Sequence, residues 1–277
     1  MARGSRQDAW EFFGAELKRR REVAGVTQGE LGRRVFVSGG YIGQFEQAIR
    51  KPQLDVAQRI DEVLQTDGFF ERLCRKLIDK SPYASYFAAA AELERVTTEM
   101  CEFAPTLVPG VLQTESYARA IMRASNPFTP EESIDAKVSA RLERAEILKG
   151  PSRPPLWVVM HETVLRTPAG GPAVMAEQLE HLTAAMTDRK ALVQVIPFAA
   201  GAYPEMSSTL KLMWFSDAPP TAYTEAWYSG VLLDDPSMVR RATASYDLMR
   251  ATALSPEASR DLIESTAKDF RQCTTTT

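Results

Sequence analysis

The sequence predicts a mainly α N-terminal domain followed by a larger α+β C-terminal domain, and three observations lead there. Short amphipathic segments with helix-capping residues fill the first 80 positions. After the loop Gly150-Pro-Ser-Arg-Pro-Pro155 the pattern changes to short β-branched and aromatic runs, spaced by longer helical stretches. Charge divides as well: residues 1–80 hold 15 Lys and Arg against 12 Asp and Glu, and the rest holds 18 against 24. A slightly basic head on an acidic body suits one nucleic-acid-binding module, while a net charge of −3 argues against indiscriminate coating of nucleic acid.

In order along the chain, Phe13, Leu17 and Ala24 share one helical face, with Lys18 to Arg21 partly on the other, and Gly25 ends the helix. Thr27-Gln-Gly-Glu30 is a capping box, which stabilises a helix start by about 0.5–2 kcal/mol. Leu31 and Val35 supply that helix's buried face. Ser38 is the next N-cap, opening a helix whose Ile42 and Phe45 point inward. Leu54, Ala57, Ile60 and Leu64 give a further amphipathic period, closed by Thr66-Asp67-Gly68. Residues 69–104 read as helical, Pro105 to Gly110 break the pattern, and helices resume at 115–124 and 131–149. Strands follow at 156–160, 192–197, 209–215 and 222–228, with helices at 173–187, 236–252 and 257–271. These elements divide into a helix-turn-helix domain at 10–66, a helical connector at 67–92, an α+β domain at 93–271 and a disordered tail at 272–277.

Several function classes are excluded by what the residues lack. No apolar run reaches the ~18 residues of a membrane span, and no hydrophobic stretch follows Arg3 and Arg6, so neither a membrane segment nor a secretory leader is expected. Cys74, Cys101 and Cys273 are too far apart for a metal knuckle and suit a reducing cytoplasm. His161-Glu162 begins like a zinc-protease helix, but Leu165 stands where the second histidine is required. His181 shares a helix with Gln178 and Glu180, a weak basis for a metal pair. There is no Gly-x-Ser-x-Gly elbow, P-loop or dinucleotide fingerprint. The expectation is a cytoplasmic non-enzyme without cofactor or metal.

The order from Thr27 to Lys51, two short capped helices and then a basic loop, is that of a helix-turn-helix, whose second helix enters the major groove. On that reading Gln28 meets a phosphate from the first helix. Ser38 caps the second helix; Gly39, Gly40, Tyr41 and Gln44 occupy its outward face, Gln44 suiting an adenine edge; Arg50 and Lys51 contact phosphate on the way out. The stretch Leu17-Lys-Arg-Arg-Arg21, Gly25-Val-Thr-Gln-Gly-Glu-Leu31, Val37-Ser-Gly-Gly-Tyr-Ile-Gly-Gln-Phe-Glu46 and Arg50-Lys-Pro52 resembles the xenobiotic-response-element family of regulators, related in fold to phage repressors. That resemblance implies Gln28 as a phosphate contact, Gly39, Gly40 and Gln44 at base-reading positions, and Glu46 as a structural acid. Phe36 departs from it, standing where the family has a turn glycine and where a left-handed backbone is unfavourable for a bulky residue. Gly39, Gly40 and Gly43 weaken the reading helix and point to dependence on phosphate contacts, DNA shape and a dimer.

Beyond residue 93 the chain is similar to the uncharacterised C-terminal domain of actinomycete WhiJ-like regulators. The similarity is carried by Leu93-Glu94, Leu107-Val-Pro-Gly-Val-Leu-Gln-Thr-Glu-Ser-Tyr-Ala-Arg119, Arg141-Leu-Glu-Arg144, Gln194-Val-Ile-Pro-Phe-Ala-Ala-Gly201, Tyr223-Thr-Glu225 and Ala253 to Arg260. It implies an antitoxin-like regulator, encoded beside a small protein partner. Trp157, Trp214, Phe215, Tyr223, Trp227 and Tyr228 concentrate aromatics on the strands, either as the sheet's core or as a pocket or partner surface with Glu162, Arg166 and Glu225. The expected function is a homodimeric regulator binding double-stranded DNA, controlled through the C-terminal domain by a small protein or a ligand; the alternative is an interaction protein that mainly neutralises a small neighbour.

Overall fold

The chain divides into two units, Met1–Val96 and Thr97–Thr277. The computed structural model describes residues 2–79, 85–227 and 229–275. In the first unit the helices are α1 (Ala2–Val23), α2 (Gln28–Arg34), α3 (Gly39–Glu46), α4 (Leu54–Leu64), α5 (Phe69–Asp79) and α6 (Ser85–Glu94). Gly25, at φ +68°, ends α1: its N–H donates to Glu22 and that of Val26 to Arg21, satisfying carbonyls the helix end leaves open. Thr27 caps α2 with both halves of the capping box present, and Ser38 Oγ caps α3 by accepting from Tyr41 N–H at 3.3 Å. Phe13, Leu17, Leu31, Val35, Ile42, Ala57, Ile60 and Phe70 are fully buried in one core. Each large side chain there stabilises the unit by about 1.5–3 kcal/mol. Asp61 sets the corner between α4 and α5, accepting the N–H groups of Phe70 at 2.9 Å and Glu71 at 2.7 Å.

The second unit holds β1 (Glu99–Ala104), α7 (Glu115–Ser125), α8 (Glu131–Ala145), β2 (Leu156–His161), α9 (Thr163–Arg166), α10 (Pro172–Thr187), β3 (Leu192–Ile196), β4 (Leu210–Trp214), β5 (Thr221–Ala226), β6 (Ser229–Leu233), α11 (Pro236–Thr252) and α12 (Pro256–Thr275). The strands form one mixed sheet in the order β3-β2-β1-β4-β5-β6. β1, β2 and β3 are parallel, so their joins are helical crossovers; β4, β5 and β6 are antiparallel and follow one another by short turns. Tyr246 and Met249 of α11 cover the face carrying Cys101, Phe103, Val159, Ile196, Leu212 and Ala222. The opposite face, with Met100, Val158, Met160, Val193, Val195 and Met213, is buried as well. α12 packs along α10 and against β3.

The mainly α head and the α+β body are as the sequence predicts, with three differences. Residues 99–104, read as the end of a helical stretch, form the central strand β1. That strand is covered on both faces, so it lacks the polar alternation that marks a half-exposed strand. β6 was not foreseen, and Tyr228 of the expected 222–228 strand lies outside the described residues. α12 continues to Thr275, past the 271 at which the sequence placed its end, and residues 276 and 277 also lie outside the described residues. Among the described residues no helix is long and apolar enough to cross a membrane.

Candidate nucleic-acid interface

The two short helices of the first unit meet through glycines. A Cβ on Gly39 would lie 2.8 Å from Gly29 Cα, and one on Gly32 would lie 2.7 Å from Val37 O, so α2 and α3 touch backbone to backbone. Gly14 does the same for α1, where a Cβ would approach Glu46 O to 2.5 Å. Side chains at these points would force the helices apart. Two of the glycines that the sequence reading took as weakening α3 therefore have a packing cause: Gly39 admits Gly29, and Gly43 lies under the Gln28 amide, with Oε1 3.2 Å from where its Cβ would be. Gly40 differs. A Cβ there meets only Ser38 Oγ at 3.7 Å, ordinary contact on an exposed surface.

A polar hub locks the same three helices. Arg21 Nε donates to Glu46 Oε1 at 2.5 Å, and Gln28 Nε2 donates to Glu46 Oε2 at 2.7 Å. Arg21 also donates from Nη1 to Val26 O at 2.9 Å. The Glu46 side chain is 3% exposed, and this buried carboxylate holds the Arg21 guanidinium above its ordinary pKa. Arg21 was read only as part of the basic run on the other face of α1, and Gly14 was not singled out, because both act on residues about 25 or more positions away.

Of the expected contact residues, Gln28, Ser38 and Gly40 are exposed, while Gly39 and Gln44 are partly covered. Gln47 and the α2 residues Arg33 and Arg34 are exposed too. Three expectations need correction. Tyr41 is 1% exposed: it lies four residues before Phe45, on the buried side of α3, and stacks on it at 6.5 Å. Arg50 is buried with its guanidinium 3.6 Å from the Tyr41 ring centre, a cation–π contact that turns it inward. Lys51 pairs with Glu92 at 2.9 Å with its Nζ 5.3 Å from the Trp10 ring, so it too is engaged within the unit rather than presented to a phosphate.

Phe36 takes the left-handed backbone that its size disfavours, at φ +61°. Its ring is 79% exposed, 5.7 Å from the Arg59 guanidinium. The turn between α2 and α3 thus keeps the glycine geometry with a costlier residue, by about 1–2 kcal/mol.

The second unit does not bring its expected ligand residues together. Glu162, after β2, accepts the Phe198 N–H at 2.9 Å and Arg166 Nε at 3.1 Å, an interaction that fixes a turn. Arg166 also reaches Asp269 at 3.6 Å. Trp214 pairs with Glu99 at the far end of β1 and packs on the α11 face. Glu225 is on the opposite face, where burial pushes its pKa up. Trp227 is 92% exposed. Strand alternation and register scatter the five over two faces and both ends of the sheet. The aromatics divide likewise: Tyr223 is buried, while Trp157 and Trp214 are partly covered beneath α11.

On the Glu225 face, Lys211 and Glu102 stand opposite each other in register and pair at 2.9 Å, with both side chains largely buried. Gln178, buried on α10, accepts from Thr114 N–H and donates to Leu112 O, each at 2.8 Å, while Gln113 accepts from Arg141 at 2.8 Å. These amides pin the 107–119 segment. Glu180 is engaged by Arg271, so neither helix neighbour completes a site with His181. Among the described residues no group of three His, Cys, Asp or Glu side chains is placed to hold a metal.

Comparison with known proteins agrees with this division. Residues 13–69 match a helix-turn-helix domain, and residues 87–265 match a domain of unknown function (DUF5753). No curated protein and no solved structure matches the chain. Because the second match spans well over half of the residues, the chain belongs to the family of that domain of unknown function (DUF5753), with a helix-turn-helix domain ahead of it.

Proposed function

We propose that the protein is a DNA-binding transcriptional regulator of the cytoplasm, acting as a homodimer, whose C-terminal domain receives a signal from a small protein partner or a ligand. The observation that carries the reading is the α2–α3 pair. It is held rigid by the Gly29–Gly39 contact and by the Arg21–Glu46–Gln28 hub, and it presents Ser38, Gly40, Gln44 and Gln47 on one small helical surface. A helix held that firmly suits the major groove, where Gln44 is able to pair with an adenine edge. Catalysis is no part of this reading: His161 uses Nδ1 to accept from Thr163 N–H at 3.3 Å, and burial keeps its pKa below the ordinary value.

With Arg21, Arg50 and Lys51 engaged internally, the phosphate contacts fall to exposed cations such as Arg33 and Arg34 of α2, and one copy on its own binds weakly. Two copies on a palindrome make up that deficit. The test is binding of purified full-length protein to the duplex upstream of its own gene and to a random duplex of equal length, at moderate salt. A clear preference for the first, lost on Gln44→Ala, is expected. Equal binding to both sinks the reading.

A further inference from the structure

The sheet of the second unit has two outer strands, finished differently. β3 is closed by the link between α11 and α12 and by the first turn of α12. Leu254 N–H donates to Val195 O at 2.9 Å, Ser259 Oγ accepts from Val195 N–H at 2.9 Å, and Gln194 Nε2 donates to Leu254 O at 2.7 Å. β6 pairs with β5 on one side, and among the described residues no strand lies on the other. Its five residues, Ser229-Gly-Val-Leu-Leu233, include no charge and no proline, the usual means of blunting a free edge.

Three exposed apolar side chains follow this edge in order. Trp227, at 92% exposure, stands where the hairpin turns; Val231, at 49%, is mid-strand; Met238, at 40%, is in the first turn of α11 directly after the strand. Val231 pairs with Thr224, on the face that α11 covers at Ala222. Val231 and Met238, the latter on α11 itself, therefore belong to one side of the edge, with Trp227 in the turn beside them.

We propose that β6 pairs with β6 of a second copy of this chain, antiparallel and about a two-fold axis near Val231, so that two six-stranded sheets become one. The edge is its own complement: reversing the strand sets Ser229 of one copy opposite Leu233 of the other, Val231 beside its own counterpart, and Trp227 at the start of the other copy's α11, the helix that carries Met238. Charge selects the same direction. Asp234 and Asp235 follow the strand at one end only. Parallel pairing would place the acidic ends of both copies together, while antiparallel pairing sends them to opposite ends. This inference deepens the reading of the protein as a homodimeric regulator and rests on it.

The test is sedimentation equilibrium of full-length protein over the micromolar range, with far-UV circular dichroism as the check on folding. The natural chain is expected to run as a dimer, and Val231→Lys to raise the dimer dissociation constant by roughly tenfold or more with an unchanged spectrum. Met238→Glu leaves the strand untouched, puts a carboxylate in a first helical turn where it is tolerated, and shifts the equilibrium the same way by less. In a Cys273→Ser background, where Cys74 and Cys101 are buried, Val231→Cys is expected to give an interchain disulfide on mild oxidation. A monomeric natural chain overturns the proposal, as does a dimer that neither Val231→Lys nor Met238→Glu weakens. A monomer that still prefers its own upstream DNA leaves the DNA-binding reading standing; a dimer dissolved by Val231→Lys that shows no such preference does the reverse.

Discussion

The helix-turn-helix unit turns its polar groups inward, whereas the sheet unit leaves one side of its framework open. In the first, Glu46 is met by Arg21 and Gln28, Arg50 lies on Tyr41, and Lys51 is paired with Glu92. In the second, β3 is sealed by Leu254 and Ser259, but β6 ends the sheet with apolar side chains in solvent. The contrast separates two tasks. A reading head has to hold α3 at a fixed depth in a groove, which rewards internal locks even at the expense of cations that would otherwise meet phosphate. On the proposed dimeric reading, affinity comes from joining copies, and an open edge supplies a place for that.

The largest expected effect probes the inward-facing unit. Glu46→Ala strands a largely buried guanidinium, and a loss of about 3 kcal/mol is expected in denaturant unfolding of the first unit. A loss below about 1 kcal/mol would mean that the hub is not a lock. Adjacent glycines give a sharper contrast. Gly39→Ala drives a methyl against Gly29 and is expected to cost about 1–3 kcal/mol, while Gly40→Ala is expected to be neutral or stabilising by about 0.5 kcal/mol. If melting temperatures show the two changes alike, the close approach of α2 and α3 is wrong. Gln44→Ala is expected to weaken binding to the cognate duplex by about 1–3 kcal/mol with stability almost unchanged. Phe36→Gly relieves a left-handed backbone at an exposed site and is expected to stabilise the unit by about 0.5–1 kcal/mol after allowing for glycine's extra unfolded freedom.

The smallest effect distinguishes the units by pH. Both histidines of the chain, His161 and His181, belong to the second unit. Burial lowers the pKa of His161, so above about pH 6.5 the ring is neutral folded and unfolded and adds no slope. As pH falls from there through the lowered folded value, the unfolded chain takes up a proton the folded one resists, and stability drops. Glu225, raised by burial, works in the opposite sense as pH climbs from about 4.5, so the difference between natural protein and His161→Asn is the quantity to follow. In the first unit Glu30, lowered by the Thr27 N–H, gives stability that is present above about pH 4.5 and lost below it.

What could be read from the residues follows the range of the interactions. Thr27 with Glu30, Ser38 with Tyr41, and Gly25 after α1 act within about one helical turn, and each marks its helix as expected. Tyr41 was misplaced because periodicity locates a face but not its width: on a helix of eight residues, one step separates core from surface. Lys51 could not be assigned, since its partner Glu92 stands on another helix far along the chain. β1 was lost to the same cause on a larger scale, because its neighbours β2 and β4 come from distant sequence and hide both of its faces. The proposed ligand residues Glu162, Arg166, Trp214, Glu225 and Trp227 required register and strand order, which no local pattern encodes.

The contact between Gly29 and Gly39 also bears on how such a regulator changes its target. Positions 32 and 39 are closed to any side chain by neighbouring backbone, and position 43 is tight against the Gln28 amide, whereas position 40 is open and 44 and 47 already carry glutamines away from the buried side of α3. On the proposed reading, a lineage drifting toward a new operator therefore has a vocabulary of three positions on this helix and its C-cap, with Gly40 as its unused letter.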